Sequence, residues 1–433
     1  MGWWTKYSIN VVNNLKKHFC PSPWFHMRIT NNGGMTYCRW ADKNATEVNI
    51  QDTSPQEFFQ QHMTDVRTSM TQGESVAGCN RCYQMETHNK VSGRQRQLLK
   101  IGVRVEQFEK TLASSPWVST FASQEFSQLP QDWQIDLGNH CNSACIFCHP
   151  NASSRLATEW KRIGFIDQLP APNWTDNPVL VDRFVSMLRE SPHIQYLHFI
   201  GGETLITPAF RTILEALIQS GLNRTATIGF TTNLITWNQP VVDLLSQFAG
   251  VNLGMSIESF DSINDYVRWP ATLPKVHEIL DNWISVAQDH DWLMQFRTTP
   301  TALTIDSLLS VYQYAWNQSI AIESCNFLDH PECMRPSVLP LSYRQPIIDR
   351  MESWIAEHST DSNVIVNTRD PSVARQQIVQ DLQSYVNYLK CEPDEGFRLP
   401  DLMTYLKRIE SSRGNNVINH LPQYEELFRT AGY

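Results

Sequence analysis

From residue 131 to residue 330, short β-branched runs alternate with longer helical patterns, and this alternation limits the fold more than any other feature. The runs are WQIDL (133–137), QYLHFI (195–200), ATIGFT (226–231), VNLGMSI (251–257), MQFRT (294–298) and AIESCNF (321–327). Helical periodicity fills the gaps, for example at 179–190, 208–220, 241–248 and 275–289. Strands buried on both faces, each followed by a helix, pack as a parallel sheet covered by those helices. Six such units fall short of the eight in a closed barrel. The expected class is therefore α/β, with a partial (β/α)6 TIM-like barrel.

The flanks read differently. Residues 1–110 hold a strand pair, FHMRIT and MTYCRW, with Asn32-Gly33-Gly34 as turn chemistry, and then a helix over 55–71. This is a small α+β module. Residues 111–130, rich in Ser, Gln and Pro, read as a linker before the barrel at 131–340. Residues 341–433 form a helical extension, with YRQPIIDRMESWIAEH, VARQQIVQDLQSYVNYL and LPDLMTYLKRIESSR as amphipathic candidates.

Composition excludes some partners. A net charge of −9 argues against a non-specific grip on nucleic acid. No apolar run approaches the ~18–20 residues of a membrane span, and the N-terminus has no apolar stretch typical of a secretory signal. The expected location is the cytoplasm, where ten cysteines serve better as ligands and buried thiols than as disulfides.

Three of them, Cys141, Cys145 and Cys148, lie in HCNSACIFCHP (140–150). A helix presenting them at i, i+4 and i+7 fits poorly, because Cys141 follows the turn-like LGNH after a strand. Zinc would need a fourth ligand such as His149. CIFCH (145–149) fits the c-type haem attachment pattern, but that chemistry belongs to exported proteins. The remaining possibility is a [4Fe–4S] cluster on three thiolates, with one iron open.

C-x3-C-x2-C with Phe147 before its last cysteine, on the loop after the first strand, resembles the radical S-adenosylmethionine (SAM) superfamily. Gly201-Gly202-Glu203 after the second strand strengthens the resemblance, since that segment binds the SAM amino group in the family. Glycines let carbonyls approach closely, and a carboxylate complements an ammonium. TTN (231–233) ends the third strand, which brings Thr232 and Asn233 to the same edge. SIES (256–259) and YVR (266–268) resemble the peptide-modifying branch, where Ser-Ile-Asp-Gly is usual. By that resemblance Ser256 touches SAM and Arg268 pairs with its carboxylate. Glu258-Ser259 departs from the pattern.

A second set, Cys20, Cys38, Cys79 and Cys82, follows C-x12-G-x4-C and then C-x2-C. It resembles the auxiliary-cluster modules called SPASM and twitch, although these usually follow the barrel. Four cysteines suffice for one auxiliary [4Fe–4S] cluster or for one structural zinc. Cys325, Cys333 and Cys391 read as packing or surface thiols, and His198 as a core histidine.

Together the resemblances imply a radical SAM enzyme that abstracts hydrogen from a substrate, with a flavodoxin or ferredoxin as electron donor. A peptide or protein side chain is the expected substrate, and a small metabolite is the alternative. A zinc-stabilised binding protein is a third reading, of a different class.

Overall fold

The computed structural model describes residues 9–42, 46–87, 92–122, 129–325, 327–328, 330–359 and 371–433. Eight strands form one sheet: β1 (His26–Ile29), β2 (Met35–Thr36), β3 (Asp132–Asp136), β4 (Tyr196–Ile200), β5 (Thr227–Thr232), β6 (Gly250–Ser256), β7 (Leu293–Thr298) and β8 (Ala321–Cys325). Their order is β2-β1-β3-β4-β5-β6-β7-β8. Only the β1/β2 hairpin is antiparallel. From β3 onward each strand neighbours the next in sequence, so right-handed crossovers put their helices on one face. That is the architecture expected for β3 to β8.

Alternation along the strands decides what each face holds. Trp133 packs against Phe184, Phe199 against Phe210 and Phe230 against Trp283, all three partners lying on crossover helices. The other face is polar. There the Tyr196 hydroxyl and His198 Nδ1 are 3.0 Å apart, and Gly229 gives them room. A Cβ at Gly229 would sit 2.3 Å from the Tyr196 oxygen. His198 is buried among these groups, as expected of a core histidine.

Two expectations need correcting. The N-terminal hairpin is continuous with the barrel sheet, because β1 pairs parallel with β3 and His26 Nδ1 lies 3.1 Å from Asp132 Oδ1. The sheet therefore has eight strands where six were expected. Residues 111–130 are not an extended linker throughout. The helices Phe108–Ala113 and Val118–Ala122 bury Leu112 and Phe121 in a small core with Phe19, Cys20 and Trp24. Residues 123–128 lie outside the described set. The helix expected over 55–71 is broken into Pro55–Glu57, a π turn Phe58–His62, and Thr64–Gln72.

The C-terminal helices share the main core. Leu402, Leu406 and Phe428 are fully buried in the same cluster as Trp133 and Phe199. No helix among the described residues is long and apolar enough to cross a membrane.

Candidate active site

The cysteine loop begins where β3 ends, and its first turn is fixed by side chains. Asp136 Oδ1 accepts from Gly138 N–H at 3.1 Å, and Asn173 Oδ1 accepts from Asn139 N–H at 2.8 Å. Further on, Ala144 N–H donates to Trp269 O at 2.8 Å and Ile146 N–H to Val267 O at 2.9 Å. The segment around Cys145 is thus tied, strand-like, to the stretch that carries Arg268. The Ser143 N–H donates to Cys141 Sγ at 3.4 Å, a bond that stabilises a thiolate.

Gly201 and Gly202 are explained by closeness. They have φ of 99° and 40°, where L side chains are strained. A Cβ on Gly202 would lie 2.0 Å from His140 O, and one on Gly201 would lie 2.2 Å from Asp136 Oδ1. Glu203 N–H donates to that His140 carbonyl at 2.7 Å. The glycine pair therefore presses directly on the chain leading into Cys141.

The Glu203 carboxylate does not face outward as the ammonium expectation required. It is fully buried, with Oε1 accepting from Leu205 N–H at 3.3 Å and Oε2 from Asn233 N–H at 2.7 Å. Burial pushes its pKa up to about 7, against these hydrogen bonds. Asn233 also turns to the loop: its Nδ2 donates to Asn142 Oδ1 at 2.7 Å and Ser143 Oγ at 3.0 Å. The Thr232 hydroxyl accepts from Leu234 N–H at 3.4 Å. Thr232 and Asn233 therefore hold the turn and the cysteine loop together.

Arg268 is buried and faces all three loop cysteines electrostatically. Its Nη1 donates to Glu258 Oε1 at 3.1 Å. Glu258 Oε2 accepts from the Thr298 hydroxyl at 2.9 Å and Thr299 N–H at 2.6 Å. The glutamate that departed from the expected Asp-Gly thus anchors the arginine in place. Ser256 ends β6 beside it. Phe147 is half-buried against the main core. His149 Nδ1 accepts from Asn151 N–H at 3.1 Å and caps the turn Pro150–Ala152.

Burial and mutual repulsion push Cys141 and Cys148 up to about 12, and burial raises Cys145 as well. Thiols in such a place become thiolates only when a metal centre compensates the charge. Three thiols near enough to repel one another, with an arginine beside them, match the donor set of a cluster that keeps one position open.

The N-terminal four are also brought together. Cys20, Cys38, Cys79 and Cys82 line one cavity, with Tyr37 and Arg94 in its wall. Burial pushes Cys79 up to about 12 and Cys20 beyond it. Trp40 N–H donates to Cys38 Sγ at 3.4 Å. Gly33, at φ 87°, makes the expected hairpin turn. Cys20 precedes β1 and Cys38 follows β2, so this site lies at the end of the sheet opposite the Cys141 loop. Among the described residues, no three His, Cys, Asp or Glu side chains close on one point as around a single ion. Cys333 is half-buried and Cys391 exposed, and the Cys325 side chain lies outside the described set.

Residues 135–290 match the sequence model of the Radical SAM superfamily, which reaches neither the N-terminal cysteines nor the C-terminal helices. Among solved structures, Streptococcus suis SuiB bound to S-adenosylmethionine is 11% identical, with a TM-score of 0.36 over 72% of this chain and 68% of that one. SuiB bound to its precursor peptide SuiA gives 11%, 0.35, 72% and 66% in the same order. The radical S-adenosylmethionine methyltransferase TsrM from Kitasatospora setae, with cobalamin and a [4Fe–4S] cluster bound, gives 14%, 0.29, 42% and 32%. No curated protein matches the chain at a significant level. Residues 135–290 are a radical SAM domain, of the family that binds a [4Fe–4S] cluster and S-adenosylmethionine.

Proposed function

We propose that the protein is a radical SAM enzyme acting on a peptide or protein side chain, with an auxiliary [4Fe–4S] cluster on its N-terminal cysteines. The observation that carries the reading is the convergence of the three-cysteine loop, the Gly201-Gly202 pair and Arg268 at one end of the sheet. Cys141, Cys145 and Cys148 would hold the cluster and leave one iron for SAM. Such a cluster, once reduced, would supply the electron for cleaving SAM to methionine and a 5′-deoxyadenosyl radical able to take hydrogen from a substrate C–H.

This chain's own residues bind, orient and shield. With the Glu203 carboxylate turned inward, the backbone of Gly201 and Gly202 is the part left to meet the SAM ammonium. Arg268, fixed by Glu258 through one nitrogen, keeps the rest of its fork for a carboxylate. Ser256, the last residue of β6, would touch the same ligand. Asn233 and Thr232 act through the loop rather than on SAM.

Cys20, Cys38, Cys79 and Cys82 would take the auxiliary cluster, which at the end of the sheet opposite the Cys141 loop would hold the fold of the N-terminal module. A flavodoxin or ferredoxin in the cytoplasm would reduce the centres. The location of an N-terminal module beside the barrel supports a peptide substrate over a small metabolite, since such modules accompany peptide-modifying enzymes in the family.

Anaerobic reconstitution tests the reading. About eight irons per chain are expected from two four-iron clusters, with reductive SAM cleavage abolished in Cys145→Ala. Incubation with SAM and candidate peptides should then give a mass loss of about two hydrogens. Product from a metabolite but never a peptide would move the substrate class. A colourless, zinc-loaded protein inert towards SAM would overturn the enzyme reading altogether.

A further inference from the structure

The helix Leu399–Arg413, which carries no sequence motif, ends against the cysteine loop. The Tyr405 hydroxyl donates to Ile146 O at 2.5 Å, and Arg413 Nη2 donates to Ala144 O at 2.6 Å. The N–H groups of the same two residues already donate to Val267 O and Trp269 O. Both residues that flank Cys145 therefore have their backbone donor and acceptor engaged, and both acceptors end on the C-terminal helix.

The two contacts are themselves firmly held. The Arg413 side chain is fully buried, and its Nε and Nη2 fork onto Glu159 at 3.0 and 2.6 Å. Glu159 lies on Ser154–Arg162, the helix that follows the cysteine loop. The guanidinium also lies 5.1 Å from the Trp269 ring centre, beside the carbonyl that takes Ala144 N–H. Tyr405 stacks on Phe165 with ring centres 5.3 Å apart. Arg413 is among the charges that act on the Cys145 thiol.

We propose that Arg413 and Tyr405 are positioning residues of the three-cysteine site. They fix the peptide units on either side of Cys145 and set how readily a cluster held there is reduced. The inference rests on the radical SAM reading above. Reduction adds negative charge to a cluster, so a buried cation and hydrogen bonds into the neighbouring amides favour the reduced form. Removing Arg413 also leaves the Glu159 carboxylate buried and unpaired near the loop, which opposes reduction further.

The test is an EPR-monitored redox titration of the reconstituted protein, with amide exchange measured on the metal-free chain. At the potential where half the wild-type loop cluster is reduced, Arg413→Met should lower the ratio of reduced to oxidised cluster about tenfold. Tyr405→Phe should shift the same way by less, and Glu159→Gln added to Arg413→Met should recover part of the loss. Exchange at Ala144 and Ile146 should quicken in both single variants. A helix with a merely structural role would lower the melting temperature and leave the reduced fraction and g values unchanged. That outcome, with unchanged loop exchange, overturns the proposal.

Should Arg413→Met fail to fold, Tyr405→Phe, which removes one hydroxyl, decides alone. A wild-type chain that takes no iron at the loop sinks the radical SAM reading and the redox half of this inference, and loop exchange then decides the positioning half. A wild type that cleaves SAM beside variants indistinguishable from it sinks only this inference.

Discussion

The two cysteine sets sit at opposite ends of one sheet and are built by opposite means. The N-terminal four come from three separate stretches of chain and surround a cavity, over a small core of their own that includes Phe19, Trp24 and Phe121. The loop three come from eight consecutive residues and are held by a hydrogen bond from Asn233 and by bonds to the Val267 and Trp269 carbonyls, with the glycines at 201 and 202 pressed against the loop. A set with four sulfurs can satisfy a cluster completely and needs its scaffold mainly for enclosure. A set with three leaves a position for a ligand, so the backbone around it has to be held by the protein. Each set also has an arginine–glutamate pair beside it, buried at the loop in Arg268–Glu258 and half-buried at the cavity in Arg94–Glu86.

The largest effects should separate the two sets outright. Cys145→Ala is expected to lose about half the iron and all reductive SAM cleavage. Cys38→Ala is expected to lose the other half and keep SAM cleavage, while product formation falls. Iron analysis and 5′-deoxyadenosine release on both variants check this. Loss of all iron in either variant would show that the sets fold as one and break the comparison.

The arginine pairs sharpen it next. Glu258 is 2% exposed in its side chain and Glu86 is 17% exposed. Arg268→Met leaves a deeply buried carboxylate without its cation, which costs about 3–5 kcal/mol. Arg94→Met should destabilise less, because water can reach Glu86. Thermal or denaturant unfolding of both variants measures the order, and Glu258→Gln added to Arg268→Met should restore part of the loss.

Carboxylates at the two ends are shifted in opposite directions. Burial raises Glu203 to about 7. Asp132 is also buried, which works against its charge, but His26, Arg39 and Lys100 hold it below the usual carboxylate range. The signs follow from proton linkage. Folded Glu203 binds its proton more tightly than the unfolded chain does, so its contribution is complete below 4.5 and is lost as pH rises through about 7. Asp132 contributes above its ordinary 3.8 and loses that contribution as pH falls further. Stability measured against pH should flatten between 4.5 and 7 in Glu203→Gln and change only on the acid side in Asp132→Asn.

What could be read from the sequence was local. Each of β3 to β8 overlaps its β-branched run within a residue or two, because the face packed on the crossover helices leaves a regular apolar signature that needs no partner to be recognised. The joining of β1 to β3 had no such signature, since His26 and Asp132 are 106 residues apart. The stretch 111–130 looked polar by count, yet Leu112 and Phe121 dock its two helices into the small core. At the site, residue types were legible and their directions were not. Glu203 was read as facing a ligand, but two backbone N–H groups claim it. Tyr405 could not be connected to Ile146 across 259 residues by any pattern in the chain.

The smallest expected effect tests whether the loop set depends on its backbone more than the cavity set does. Ser153 is 1% exposed, accepts from Leu156 N–H at 3.1 Å as the cap of Ser154–Arg162, and donates to Ser143 O at 2.5 Å. One hydroxyl thus joins the start of that helix to the middle of the cysteine loop. Ser153→Ala should cost about 1–2 kcal/mol, the usual range for a lost cap, and leave a buried carbonyl without its donor. At the cavity, Ser22 accepts from Cys20 Sγ at 3.4 Å and also bonds the Cys38 thiol. Ser22→Ala removes only weak bonds to thiols that ligation would deprotonate in any case. If the comparison holds, Ser153→Ala loses iron from the loop faster under chelator while the cavity set keeps its own, and Ser22→Ala changes neither rate. Equal loss from both sets would mean that enclosure, rather than backbone tethering, governs retention at each.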